Sequence, residues 1–206
     1  MSTDGEPFVV AVVGATATGK SDLGIALAQL LDGEVVSADA SQLYRGMDIG
    51  TAKVPLAQRH GIAHHQIDVL DVTDEATIAG YQRHARADVD AVLARGRVPV
   101  VVGGSGLYVR ALLDHLDLPP TDPDVRQRLE ERADAEGTAA LLAELRELDP
   151  VAAAAIEPNN TRRIVRALEV IELTGRPLSA TMPPRQTLRP TVFVGPRVHR
   201  EALDRT

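Results

Sequence analysis

Phe8 to Val13 is an unbroken apolar run that leads into Gly14, the pattern of a strand buried on both faces. Lys20 to Leu31 then carries Leu23, Ala26, Leu27, Leu30 and Leu31 at helical spacing, so the chain opens as a strand, a glycine-rich turn and a helix. Glu34 to Ser37 predicts a second short strand, Asp39 to Lys53 a long polar loop, and Ile67 to Leu70 another short strand. Ile78 to Ala94 has the spacing of an amphipathic helix closed by Gly96, and Val98 to Val102 is a buried strand running into Gly103 and Gly104. Strands that alternate with helices predict a parallel sheet with helices on both faces.

The texture changes near Leu118. Leu118-Pro119-Pro120 is a break, and Asp122-Pro123 opens a stretch rich in Ala, Glu, Arg and Leu that reads as helical to about Thr174, with proline suited to a first helical turn. A proline-rich break from Gly175 to Pro190 precedes a last apolar run, Thr191 to Gly195. The expected organisation is an α/β core over residues 7–117, a helical insertion over 118–190 and a return to the core over 191–206.

Composition narrows the class. A chain of 206 residues with 44% hydrophobic and 25% charged residues suits one main core, and aromatics at 2% leave Val, Leu, Ile and Ala to fill it. With no cysteine, disulfides, thiolate metal sites and cysteine nucleophiles are excluded, and a cytoplasmic protein is the simplest expectation. The start is polar and acidic, and no stretch approaches the length of a membrane span, so no membrane association is expected. The net charge of -7 argues against a broad nucleic-acid surface, but its distribution is uneven. Between Asn159 and Arg200 stand eight arginines against Glu169 and Glu172, a basic segment suited either to an anionic partner or to an ordinary solvated face.

The strongest chemical signal is Gly14-Ala15-Thr16-Ala17-Thr18-Gly19-Lys20-Ser21, which fits G-x-x-x-x-G-K-[ST] between a buried strand and a helix. Backbone N–H groups and the positive end of the helix dipole can cradle phosphate oxygens, Lys20 adds a charge, and the Ser21 hydroxyl can ligate Mg²⁺. A P-loop alone does not name the reaction, since kinases, ATPases and GTPases share it. The strand Val98 to Val102 ends in glycines instead of an acid, which leaves Asp39, after the strand Glu34 to Ser37, as the carboxylate at the sheet's ligand-binding edge. Asp39 suits work on a metal, proton acceptance, or simply an N-cap or turn. His64 and His65, adjacent and without a third ligand, suit hydrogen bonding in a loop beside the sheet better than metal ligation.

The string Asp39-Ala40-Ser41-Gln42-Leu43-Tyr44-Arg45-Gly46-Met47-Asp48-Ile49-Gly50-Thr51-Ala52-Lys53 resembles the hallmark loop of tRNA dimethylallyltransferases, also called tRNA isopentenyltransferases. The resemblance extends through Gly14 to Ser21, His64 to Asp68, Gly103 to Tyr108, Asp122 to Arg126, Asp149-Pro150 and Pro158 to Val170, essentially the whole chain. It implies a P-loop NTPase-like α/β fold with a helical insertion, and an enzyme that transfers a dimethylallyl group from dimethylallyl diphosphate to the exocyclic amine of the adenosine beside the anticodon in tRNA. By this resemblance Asp39 takes the proton from the attacking amine, and Lys20 and Thr16 complete the catalytic set. Gly14, Ala15, Thr16, Ala17, Thr18, Gly19, Lys20, Ser21 and Arg200 hold the diphosphate with Mg²⁺ on Ser21. Asp39, Ala40, Ser41, Gln42, Ser105, Arg126, Arg162, Arg163, Ile164, Val165 and Arg166 face tRNA. Tyr44 and Tyr108 suit stacking on a base, lining a prenyl channel, or packing. Ala15 stands where the family usually has proline, and Ser105 where threonine is usual. Family members typically continue well beyond Thr206, so a C-terminal truncation with an uncovered apolar face is expected, and the protein is expected to act as a monomer. The alternatives are an adenylate isopentenyltransferase, a small-molecule kinase and a non-catalytic P-loop module.

Overall fold

A computed structural model of the chain describes residues 6–116, 118–181 and 185–196. The first unit, the described residues of Met1–His115 and Arg185–Thr206, holds β1 (Val9–Val13), α1 (Lys20–Leu30), β2 (Gly33–Ser37), β3 (His64–His65), α2 (Ile78–Ala94), β4 (Val98–Gly103), α3 (Gly106–Leu113) and β5 (Thr191–Val194). Its five strands form one sheet in the order β3-β2-β4-β1-β5, every pair parallel. This is the expected α/β class with a parallel sheet and flanking helices.

Residues of both parities are buried along the central strands. Val10, Val12, Val35 and Val100 meet α1 through Ala28, with Leu23, Leu27 and Leu31 packed beside it, while Val9, Ala11, Val36 and Val101 are buried as completely. A sheet covered on both faces accounts for the unbroken apolar runs in its strands. Of the α1 positions expected at helical spacing, Leu23, Leu27 and Leu31 pack against the sheet, whereas Ala26 and Leu30 are exposed, Leu30 by 79%, and the fully buried line is Gly24, Ile25 and Ala28. The reason is close approach: a Cβ at Gly24 would lie 2.4 Å from Val102 Cγ2, so the helix turns its smallest residues to the sheet.

Three further expectations are corrected. The strand expected at Ile67 to Leu70 is instead His64–His65, because Gln66 (φ 59°) and Asp68 (φ 57°) break the extended chain and Leu70 makes only an isolated bridge to Tyr44. The two histidines are thus an edge strand and not a loop beside the sheet, bonded to β2 in the register Val35 to His64 and Val36 to His65. Finally, residues 185–190 belong with the sheet and not with the insertion, since His115 N–H donates to the Gln186 carbonyl (2.8 Å) and Leu188 N–H to that of Leu113 (2.7 Å).

The second unit, the described residues of Leu116–Pro184, is helical: α4 (Pro123–Glu136), α5 (Thr138–Leu148), α6 (Pro150–Ala155), α7 (Thr161–Thr174) and a 3₁₀ turn at Leu178–Thr181. Asp122 caps α4 by accepting from Asp124 and Val125 N–H, with Pro123 in the first turn, and Asn160 caps α7 by accepting from Arg163 N–H. Leu129, Leu141, Leu145, Ile164, Val165 and Leu168 form its core.

Candidate active site

The carboxyl ends of β1, β2 and β4 are neighbours in the sheet, and the segments that leave them enclose a cleft of about 390 Å³. Thr16 to Asp22 form one wall, Ser37, Asp39, Ser41, Gln42 and Gly50 to Ala52 another, and Val102, Gly103 and Gly104 the floor. The P-loop leaves β1 and turns at Ala17 (φ 62°) and Gly19 (φ 77°) into α1, whose first turn has no side-chain cap. Uncapped N–H groups at a helix start point their partial positive charge into the cleft, which is the geometry that receives phosphate. Thr18 Oγ1 donates to the Ala15 carbonyl (2.9 Å), and the Lys20 ammonium donates to the same oxygen. Burial lowers the pKa of Lys20, the nearby Asp39 opposes that shift, and both residues line the cleft.

Asp39 is placed by the strands beneath it. Ala38 N–H extends the β2–β4 ladder to the Val102 carbonyl (2.8 Å), and Gly103 lies so close that a Cβ there would be 2.4 Å from the Ala38 carbonyl oxygen. The carboxylate accepts from Ser41 N–H (2.9 Å) and Ser41 Oγ (2.6 Å), both on Oδ1. Among the described residues Oδ2 takes no hydrogen bond. The turn-forming and cleft-facing readings of Asp39 therefore hold together, one on each oxygen.

The loop behind Asp39 is held by polar contacts that spacing does not disclose. Gln42 accepts from Ser37 Oγ (2.8 Å) and donates to the carbonyls of Thr51 (3.1 Å) and Ala52 (3.3 Å), so its side chain is committed within the loop. Lys53, with only 5% of its side chain exposed, donates to the Tyr44 carbonyl (2.8 Å), Asp48 (2.8 Å) and Asp68 (2.7 Å). Burial alone would lower its pKa, but the two carboxylates outweigh burial and raise it. Sequence reasoning gave Lys53 no role, although it ends the string Asp39 to Lys53 that carries the family resemblance. Tyr81 OH donates to the Ser37 carbonyl (2.9 Å), and its ring lies 4.6 Å from that of Tyr108. Tyr108 is thus a packing residue, while Tyr44 OH accepts from Ala76 N–H (3.1 Å). His64 also lines the cleft, its Nδ1 bonded to the Ile62 carbonyl (2.9 Å). A carbonyl only accepts, so the ring proton is on Nδ1, and burial holds the imidazole neutral by lowering its pKa.

Of the expected site residues, Thr16, Ala17, Thr18, Gly19, Lys20, Ser21, Asp39, Ser41 and Gln42 line this one cleft. Gly14, Ala15 and Ala40 are their chain neighbours, and Ser105 precedes α3. Among the described residues no cluster of three or more His, Cys, Asp or Glu suited to a metal is present. Arg200 lies outside the described residues. In the helical unit Arg162 and Arg163 are exposed, whereas Ile164 and Val165, expected at a tRNA surface, are 0% and 2% exposed in the core. The cause is the helical period, which turns the fourth and fifth residues of α7 inward. Arg126 and Arg166 both bond Glu169.

Comparison with known proteins gives the family. The family model described as IPP transferase matches residues 42–206. The tRNA dimethylallyltransferase of Nocardia farcinica is 64% identical over 84% of this chain and 56% of its own, and that of Streptomyces avermitilis 59% identical over 96% and 64%. Among solved structures, the full-length tRNA isopentenylpyrophosphate transferase of Bacillus halodurans is 42% identical with a TM-score of 0.59, covering 97% of this chain and 62% of that one. A eukaryotic dimethylallyltransferase acting on tRNA is 29% identical with a TM-score of 0.76, over 92% and 48%. The chain thus spans somewhat over half the length of the curated relatives it matches, and by the family match over most of its residues it belongs to the IPP transferase family.

Proposed function

We propose that this chain transfers a dimethylallyl group from dimethylallyl diphosphate to the exocyclic amine of the adenosine adjacent to the anticodon in tRNA. The observation that carries this is the pairing of a P-loop with Asp39 across one cleft, where β4 ends in glycines and supplies no acid for nucleotide hydrolysis. The diphosphate lies in the P-loop amides with Lys20 beside it. The adenine nitrogen attacks the first prenyl carbon, a C–N bond forms as the C–O bond to diphosphate breaks, and the nitrogen's proton passes to Asp39 Oδ2. Lys20 and the N-terminus of α1 meet the charge that develops on the departing diphosphate, the electrostatic contribution expected to be largest. Thr16, exposed at the cleft rim, is placed to touch the reacting groups.

The residues present fit Mg²⁺ in the mode that takes one protein hydroxyl, substrate phosphates and water, with Ser21 as the ligand. Bound there, the ion would neutralise leaving-group charge. The base must leave its stack to reach Asp39. Asp39 to Gln42, Ser105, Arg126, Arg162, Arg163 and Arg166 are the proposed tRNA contacts, with Ile164 and Val165 acting through the placement of α7. We also take the protein as monomeric and cytoplasmic.

The test is transfer of labelled dimethylallyl to unmodified tRNA with AMP as competing acceptor, for the chain and Asp39→Ala. Labelled tRNA that vanishes with Asp39→Ala supports the assignment. Labelled AMP alone would make it an adenylate prenyltransferase, and no transfer to either would refute catalysis by this chain.

A further inference from the structure

Glu169 is the most deeply buried acid among the described residues, at 0% exposure, and no step of the proposed reaction uses it. Its Oε1 accepts from Asp122 N–H (2.9 Å) and Arg126 Nη2 (3.3 Å), and its Oε2 from Arg126 Nη2 (3.1 Å) and Arg166 Nη1 (2.7 Å). Burial disfavours its charge, but the bonds from Arg166, Asp122 and Arg126 outweigh burial and hold its carboxyl below the usual range. Arg166 is fixed further by donating from Nη1 to the Pro120 carbonyl (2.9 Å) and from Nη2 to that of Pro119 (2.9 Å).

Neutralising one buried carboxylate requires one cation, and here two guanidinium groups share it, leaving a net positive charge. Arg126 has 40% of its side chain exposed, and its bonds to Glu169 use a single nitrogen of a group with five N–H donors. A guanidinium whose direction is fixed from behind and whose outer edge meets solvent has little left to lose in binding an anion. The next exposed arginines, Arg162 and Arg163, stand one turn earlier than Arg166 on the same helix.

We propose that Glu169 is a positioning residue that fixes Arg126 and Arg166 as a paired fork for a backbone phosphate of the RNA. This rests on the tRNA reading above and adds to it the group that aims the arginines. Charge alone and positioning make opposite predictions. Glu169→Gln removes a negative charge, which by long-range electrostatics strengthens RNA binding; if the carboxylate aims the arginines, the same change weakens it, because a Gln amide turns donors toward one guanidinium.

The experiment measures the Kd for unmodified tRNA across a salt series for the chain, Glu169→Gln, Arg126→Gln and the double variant, with binding of pyrophosphate and a thermal melt as companions. Losing the contacts to that phosphate is expected to weaken binding about tenfold and to flatten the salt slope by about 1. The double variant should be no weaker than the worse single one, since both remove the same fork. Pyrophosphate binding, a property of the P-loop, should stay unchanged. A folded Glu169→Gln that binds tRNA as well as or better than the parent, with the same slope, overturns the inference and leaves the tRNA reading intact. If Glu169→Gln does not fold, Arg126→Gln decides, since it leaves Glu169 paired with Arg166: weakened, flatter binding supports the fork and unchanged binding overturns it. A parent chain that binds pyrophosphate but no tRNA overturns both.

Discussion

Gly103→Ala tests whether the sheet places the carboxylate on which the proposed reaction depends. A Cβ at this position lies 2.4 Å from the Ala38 carbonyl oxygen, 2.7 Å from Ala38 Cβ and 2.9 Å from the Ala38 carbonyl carbon. Ordinary separation is about 3.5 Å, so a retreat of about 1 Å is needed. None of the three atoms ends a flexible side chain, so the backbone itself must move. Ala38 is also tied to β4 by its 2.8 Å bond to Val102, which resists parting of the strands. The strain therefore moves Asp39, the next residue, relative to Lys20. The expected cost is about 1–3 kcal/mol in stability, read as a lower urea midpoint at constant m. Transfer to tRNA, measured where the variant is still folded, should fall about 100-fold, as for a reacting group displaced by about 1 Å. Gly33→Ala is the control: its Cβ meets the Val98 carbonyl oxygen at 2.4 Å, at the end of the β2–β4 ladder opposite Ala38, so it should lose stability without a comparable loss of rate. A Gly103→Ala protein that is destabilised but transfers as fast as the parent would refute the claim that this close approach sets Asp39.

Asp39→Asn should lower transfer by about 10²- to 10⁴-fold, the range for a lost general base, while pyrophosphate still binds by calorimetry; near-normal turnover would remove Asp39 from the chemistry. Lys53→Met leaves the Tyr44 carbonyl, Asp48 and Asp68 without their shared donor and should cost about 1–3 kcal/mol, with faster amide exchange across residues 44–53; unchanged exchange there would show the staple to be idle. Glu34, 4% exposed, is disfavoured as an anion by burial, but bonds from Arg95, His65 and Arg97 pull its pKa down from 4.5 to about 2. With the folded-state value depressed, its stabilisation is full above pH 4.5 and is lost as pH falls toward 2. Because Arg95 and Arg97 are themselves nearly half exposed, the effect is about 2 kcal/mol. Glu34→Gln should flatten that part of the acid limb in pH-dependent denaturation, and an identical limb in the variant would count against the pairing.

The sheet was legible because its strands are buried on both faces and therefore spell themselves as apolar runs: Val9–Val13, Gly33–Ser37 and Val98–Gly103 fall within a residue or two of their expected ends. Misreadings arose where backbone conformation overrode side-chain pattern. Ile67 to Leu70 has strand composition, but Gln66 and Asp68 in the left-handed region stop the ladder after His65. On α1 the expected Leu23, Leu27 and Leu31 do pack against the sheet, but Leu30 does not, and the closest approach is made by Gly24, small enough to reach Val102. The same limit applied on α7, where Ile164 and Val165 share a motif with three arginines yet turn into the core.

The site divides along a similar line. The P-loop is a contiguous string whose spacing is its chemistry, so eight residues were enough to find it. The scaffold of Asp39 is discontinuous: Ser37, Gln42, Thr51, Lys53, Asp68 and Gly103 come from four segments and act through hydrogen bonds and contact distances, which leave no period in the sequence. That is also why the two readings of Asp39 could not be separated in advance. A turn aspartate and a proton acceptor have the same letter and the same neighbours. Under the proposed reaction the turn is what would make the acceptor useful, since Ser41 holds Oδ1 and thereby restrains Oδ2. A substitution at Ser41 that removes the hydroxyl but keeps the N–H bond should therefore loosen the carboxylate without removing it. Ser41→Ala is expected to lower transfer far less than Asp39→Asn, and an equal loss in both would mean that Ser41 itself touches the reacting groups.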